Sequence, residues 1–177
     1  MSGHNKWSKI KHKKAATDAA KSKVFGKMAR LIAVESKKAG GDVNSSSLRA
    51  VIERARAENM PKDNIDRAVA KGASAESAQL ETVVYETYGP GGAALVVSAV
   101  TDNRNRTAAE IKHLLSKNSM ELAAPGSALW AFSKMADGTY EPNTTVALSE
   151  IDGERLGIII DALEEHDDVQ DIYTNAI

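Results

Sequence analysis

The sequence predicts an α+β protein: an N-terminal three-helix domain over residues 1–75, then a two-layer α+β domain over residues 76–177 with an antiparallel or mixed sheet. Three observations predict it. Apolar residues recur at helical spacing in three successive stretches up to Gly72. Beyond Leu80, β-branched and aromatic runs bounded by turn residues alternate with helical patterns. Between these two parts the net charge changes sign: residues 1–72 hold 12 Lys and 5 Arg against 7 Asp plus Glu, a net +10, and the remainder carries a net −11.

Each element has its own warrant. Residues 1–14 hold only Trp7 and Ile10 as large apolar residues and show no stripe, so they read as an arm that orders on a partner. From Ala15 a first helix places Val24, Met28, Leu31 and Ile32 on one face and stops at Gly40-Gly41. A second, capped by Asn44 or a following serine, buries Leu48, Val51, Ile52 and Ala55. A third begins at Pro61, has Asp63 near its positive end, carries Ile65, Ala68 and Val69, and stops at Gly72. Residues 73–80 are a linker rich in Ala and Ser.

In the second part, Glu81–Tyr88 and Ala93–Thr101 form a hairpin about the Gly89-Pro90-Gly91-Gly92 turn. A helix follows over RTAAEIKHLLSKN with Ala108, Ile111, Leu114 and Leu115 inward, and Asn105 or Thr107 is its expected cap. Strands are predicted at Ala128–Ser133, Thr144–Leu148 and Val169–Tyr173, with a helix from about Glu150 to Glu165.

Several function classes lose their support on composition. With no cysteine, the chain has no disulfide, thiolate zinc site or cysteine nucleophile. No run approaches the roughly 18 apolar residues that span a bilayer, and MSGHNKWSKIKHKK lacks a signal peptide's apolar stretch, so the expectation is a cytoplasmic protein without membrane contact. The four histidines are scattered without carboxylates at ligand spacing, so no metal or other cofactor is expected. Neither a nucleophile elbow nor a Ser-His-Asp arrangement can be picked out, which leaves an enzyme reading without named residues. The glycine run at 89–92 lacks the phosphate-loop pattern and precedes a strand, so it reads as a turn.

What remains is a polyanion-binding reading. Lys6, Lys9, Lys11, Lys13, Lys14, Lys21, Lys23, Lys27 and Arg30 face only Asp18 across the first thirty residues. Cations at this density neutralise phosphates, while Trp7, His4 and His12 supply flat groups that pack on nucleotides. The competing reading is that the basic and acidic parts are two solvated faces that attract each other. Thr101–Thr107 reads first as a loop fixed by Asp102 and a helix start, and second as a further contact patch formed by Arg104 and Arg106. The acidic run Glu164-Glu165-His166-Asp167-Asp168 reads as a solvated turn or as a surface for a basic partner.

Three long blocks carry a resemblance: MSGHNKWSKIKHKKAATDAAKSKVFGKMAR, GGDVNSSSLRAVIERARAENMPKDNIDRAVAKG and YETYGPGGAALVVSAVTDNRNRTAAEIKHLLSK. Together with Thr144-Thr145-Val146 and the stretch from Asp161 to Tyr173, they resemble the YebC-like family, which includes the mitochondrial translational activator of cytochrome oxidase. The resemblance implies a three-helix domain followed by α+β structure, no cofactor, and a role in gene expression. That role is either DNA-binding transcriptional regulation or, slightly favoured, action on the ribosome and its RNA that aids synthesis of proline-rich stretches. Two departures stand out. Where relatives usually carry a further α+β domain between Lys134 and Thr144, this sequence has only MADGTYEPN, and Ser119-Met120 stands where relatives often have glycines. Because Met1 opens the family's first block, the expectation is a bacterial-type cytosolic protein without a transit peptide.

Overall fold

A computed structural model of the chain describes residues 18–177. Three helices open it: α1 (Asp18–Lys38), α2 (Ser46–Ala57) and α3 (Lys62–Ala73). Their inward stripes form one core containing Met28, Ile32, Leu48, Ile52, Ala55 and Ile65. Gly40 and Gly41 end α1 with φ of 59° and 83°, and the Gly41 N–H reaches back to Ser36 O at 2.9 Å, the left-handed termination the sequence signals. Gly72 has a different use from the predicted stop, because it lies within α3 where the helix crosses α1. A Cβ there would collide with the carbonyl oxygen of Ala33, so only glycine allows this approach. Buried Ser36 donates to Val69 O at 2.7 Å across the same crossing.

A 3-10 turn at Ala75–Ser77 fills the predicted linker, and buried Ser77 bonds Gly72 O at 2.7 Å. The α+β part is built on β1 (Glu81–Tyr88), β2 (Ala94–Thr101) and β5 (Val169–Thr174), with β2 in the middle. Both pairings are antiparallel, and the β2–β5 ladder is irregular at Ser98/Ala99. Helices α4 (Arg104–Lys117) and α5 (Glu150–Glu164) cover one face, where Val83, Tyr85, Val97, Ala99 and Val169 meet Ile111, Leu115, Ile159 and Leu163. On the opposite face, Ala94, Val96 and Tyr173 pack under a two-stranded sheet, β3 (Phe132–Lys134) with β4 (Tyr140–Pro142). Helix α1 also lies against β2 and β5.

Two predicted strands are corrected. Ala128–Ser133 is extended only from Phe132, because the buried Glu86 carboxylate accepts the N–H groups of Gly126, Ala128 and Leu129 at 2.6–2.8 Å and so wraps this backbone into a turn. Thr144–Leu148 forms a single bridge, Val146 with Ala176, rather than a strand. The second strand of the small sheet lies earlier, at Tyr140–Pro142, because Asp137 Oδ1 takes both the N–H and the hydroxyl of Thr139 and closes the chain into a hairpin. These hydrogen bonds hold the Asp137 carboxyl below its ordinary range. MADGTYEPN thus supplies the turn and the second strand of this hairpin.

A candidate nucleic-acid interface and the clamp beside it

Of the predicted binding residues, His4, Lys6, Trp7, Lys9, Lys11, His12, Lys13 and Lys14 lie outside the described residues. The other six lie within them, and five have partners inside the chain.

Lys23, Lys27 and Arg30 follow one another at helical spacing along one side of α1, and this side meets the turn between α5 and β5. Lys23 Nζ donates to Glu165 O at 2.7 Å and to its carboxylate at 2.6 Å, while Lys27 Nζ donates to Glu164 O at 2.6 Å. These carbonyls belong to the C-terminal end of α5, where the last turn leaves acceptors without intrahelical donors and the helix dipole is negative. Two lysines of the first helix thus cap the last one. Arg30 donates to Asp168 Oδ1 and to Asp167 O.

Asp168 is the hub. Its side chain is 4% exposed, and its Oδ2 accepts from Arg106 Nη2 at 2.8 Å and from the Thr107 hydroxyl at 2.7 Å. Burial by itself pushes this carboxyl up, but donation from Thr107, Arg106 and Arg30 outweighs it and brings the pKa down to about 2. Around it, Arg106 also pairs with Asp102 at 3.1 Å. His166 Nδ1 accepts the Asp168 N–H at 3.1 Å, so its Nε2 faces Glu110 Oε2 at 2.8 Å as the donor. Glu110, His166 and Asp168 lie close enough to share a cation. Their donor set does not suit one, because two guanidinium groups already occupy Asp168 and both ring nitrogens are engaged. Two further bridges tie the helical part to the sheet: Arg54 forks onto Asp171 at 2.5 and 2.9 Å, and Lys38 Nζ reaches Thr82 Oγ1 at 3.3 Å. The Asp171 bond holds Arg54 above its ordinary value.

Arg104 bonds the Glu81 carboxylate at 2.7 and 3.3 Å, so the expected Arg104 and Arg106 patch consists of two arginines with intrachain partners. The α4 cap is Asn103 rather than Asn105 or Thr107: its side chain accepts the Arg106 N–H at 3.1 Å. Thr107 is instead turned inward to Asp168. The surface for a basic partner read from residues 164–168 has such a partner in α1. That was the competing reading of the charge segregation, and the helical spacing of Lys23, Lys27 and Arg30 opposite one acidic run was its only sequence signal. Lys21 is the one predicted residue among those described that is exposed and enters no ion pair with another described residue.

Comparison with known proteins gives this arrangement its relatives. The family model of the TACO1/YebC protein N-terminal domain matches residues 5–75, and that of the TACO1/YebC second and third domain matches residues 80–137 and 134–176, two stretches that join at the β3–β4 hairpin. A probable transcriptional regulatory protein of Fervidobacterium nodosum is 38% identical over 235 aligned positions, covering 99% of this chain and 93% of its own length. One of Thermotoga maritima is 37% identical over 236, with the same coverages. Both aligned lengths exceed the 177 residues of this chain, so each relative carries residues that this chain lacks. The crystal structure of a conserved hypothetical protein from Aquifex aeolicus superposes with a TM-score of 0.84 at 31% identity, over 97% of this chain and 96% of that one. With both halves matched in order and the fold shared along nearly the whole length, the chain belongs to the TACO1/YebC family, as a short member without the inserted domain.

Proposed function

We propose that this chain is a non-catalytic, nucleic-acid-binding regulator of gene expression whose first contacts are made by its N-terminal arm. The observation that carries this reading is that residues 1–17 hold five lysines, a tryptophan and two histidines with no carboxylate, directly ahead of a folded unit whose own clamp cations are partnered. Lysines without acidic neighbours gain most from phosphate, through release of its condensed counterions. Lys21 continues the arm's charge onto α1, and Lys23, Lys27, Arg30, Arg104 and Arg106 hold the platform that aims it.

RNA, in the setting of the ribosome, is the favoured partner. A short basic segment that orders on contact suits the crevices of a structured RNA. The alternative, transcriptional regulation through DNA, is supported by the names that the relatives carry. A role in docking a basic protein loses ground, because α1 already covers the acidic turn.

The test replaces Lys6, Lys9, Lys11, Lys13 and Lys14 with glutamine in the full chain and follows binding to ribosomes and to labelled RNA and DNA against KCl concentration. The slope of log affinity on log salt should flatten by about 3.5 to 4.5, at about 0.7–0.9 for each phosphate no longer neutralised, with the melting temperature unchanged. Unaltered binding would remove the arm from the interface. Crosslinking in cells, with recovery of ribosomal RNA against promoter DNA, separates the two partners.

A further inference from the structure

Between α1 and α3 runs a cleft of about 790 Å³, lined at its clamp end by Arg30, whose charge is already taken by Asp168. Phe25, Ala29, Met60 and Ala68 give it an apolar floor, and Phe25 is only half-buried against the helical core. On the α3 side its rim carries Arg67 and Lys71, one helical turn apart and both exposed. Neither has a carboxylate partner among the described residues. Arg67 Nε donates to Asp63 O at 3.3 Å and its Nη2 donates to Asn64 Oδ1, so the guanidinium is oriented but its charge is not neutralised. The α1 side of the cleft is low, with Ser22 and Gly26, and a side chain at Gly26 would meet nothing within 4 Å. At the far end two carboxylates are present. Asp102 is paired with Arg106 at 3.1 Å, and Glu76 sits on the 3-10 turn behind α3.

We infer that this cleft binds a single-stranded polynucleotide, with a base on the Phe25 floor and adjacent phosphates on Arg67 and Lys71. This rests on the nucleic-acid reading above and extends it to a second site that the arm does not contain. A cationic rim over an apolar floor offers separate complements to the two halves of a nucleotide, and it accepts any base because every base has a flat apolar face. A duplex keeps those faces stacked inside and presents only its phosphates, so it gains the rim and forfeits the floor. The cleft also opens near the start of α1: Ser22 on its α1 wall lies four residues after Asp18, where the helix begins. The cation pair on α3 then adds two phosphate contacts to those the arm is proposed to make. The mouth admits no second basic segment, because Arg67 and Lys71 repel one.

The experiment uses the full chain, a fluorescein-labelled 12-nucleotide oligouridine, its deoxythymidine counterpart and a 12-base-pair DNA duplex, with anisotropy followed against KCl. Single strands should bind more tightly than the duplex. Arg67→Gln combined with Lys71→Gln should abolish that preference and flatten the salt slope for single strands by about 1 to 1.5, at about 0.7 for each phosphate neutralised. As a readout that does not depend on any variant's fold, a 4-thiouridine oligomer photocrosslinked to the unaltered chain should attach within residues 22–29 or 64–71, located by mass spectrometry of the peptides. Crosslinks confined to residues 1–17, an unchanged salt slope in the double variant, or equal affinity for duplex and single strand would each overturn the cleft site while leaving the arm reading in place. If the full chain bound none of the three probes at low salt, both readings would fall together.

Discussion

Asp168 carries more of the structure than its place in a run of surface acids suggests. With two arginines and a threonine donating to it, its depressed pKa is a stability contribution of about 2 kcal/mol at neutral pH. The sign follows from the direction of the shift: the contribution is complete above the unfolded-state value near 4 and is lost as pH falls through the folded value near 2. Asp168→Asn should therefore destabilise the protein at pH 7, and the gap between wild type and variant in urea denaturation should close between about pH 4 and pH 2. A gap independent of pH across that window would contradict the hub. Tyr85 presents the opposite case, a hydroxyl in the sheet–helix core with no hydrogen-bond partner, whose burial also pushes its pKa up. Removing an unpaired buried hydroxyl recovers its desolvation cost, so Tyr85→Phe should raise stability by about 1 kcal/mol, seen as a higher melting temperature. In the sequence, Tyr85 read correctly as a strand residue, but the lack of a partner among the described residues depends on how the core packs and has no local signature.

At the scale of elements, Ser119 shows how a helix is ended. It adopts φ of 58°, in the region that favours glycine, to end α4, with the Met120 N–H returning to Leu115 O at 2.9 Å. The turn is made at the expense of a strained serine. Ser119→Gly should relieve roughly 0.5–1 kcal/mol of that strain, less what glycine's looser unfolded chain returns, so a small rise in denaturation midpoint is expected. The five α-helices and the three strands of the main sheet were legible because their warrants are local: apolar spacing, β-branched runs and turn residues. The failures were equally specific. Ala128–Ser133 has strand composition, but Glu86, more than forty residues earlier in the chain, takes its N–H groups. The α4 cap moved from Asn105 to Asn103 because Thr107 was drawn to Asp168.

Across the whole molecule, charge segregation serves two ends. Part of the positive half closes on the negative half through Lys23, Arg30 and Arg54, while Lys21, Arg67 and Lys71 are exposed and enter no ion pair among the described residues. The clamp couples a small helical unit to the sheet, and the exposed members of such pairs weaken with salt. Replacing Lys23, Arg30 and Arg54 with glutamine should split one cooperative melting transition into two, with amides of α2 and α3 losing hydrogen-exchange protection before those of β2. A single transition in the triple variant would mean that apolar contact alone joins the two parts.

Read alone, the sequence established the α+β class, the order of the principal helices and strands, the family and the separation of charge, since each is written in neighbouring residues or in long runs of them. Only the tertiary structure decided which cations are free. Lys23 meets a carboxylate 142 residues away, and whether a lysine faces water, a helix terminus or a phosphate depends on which surfaces the packed core brings together, a property that no local pattern records.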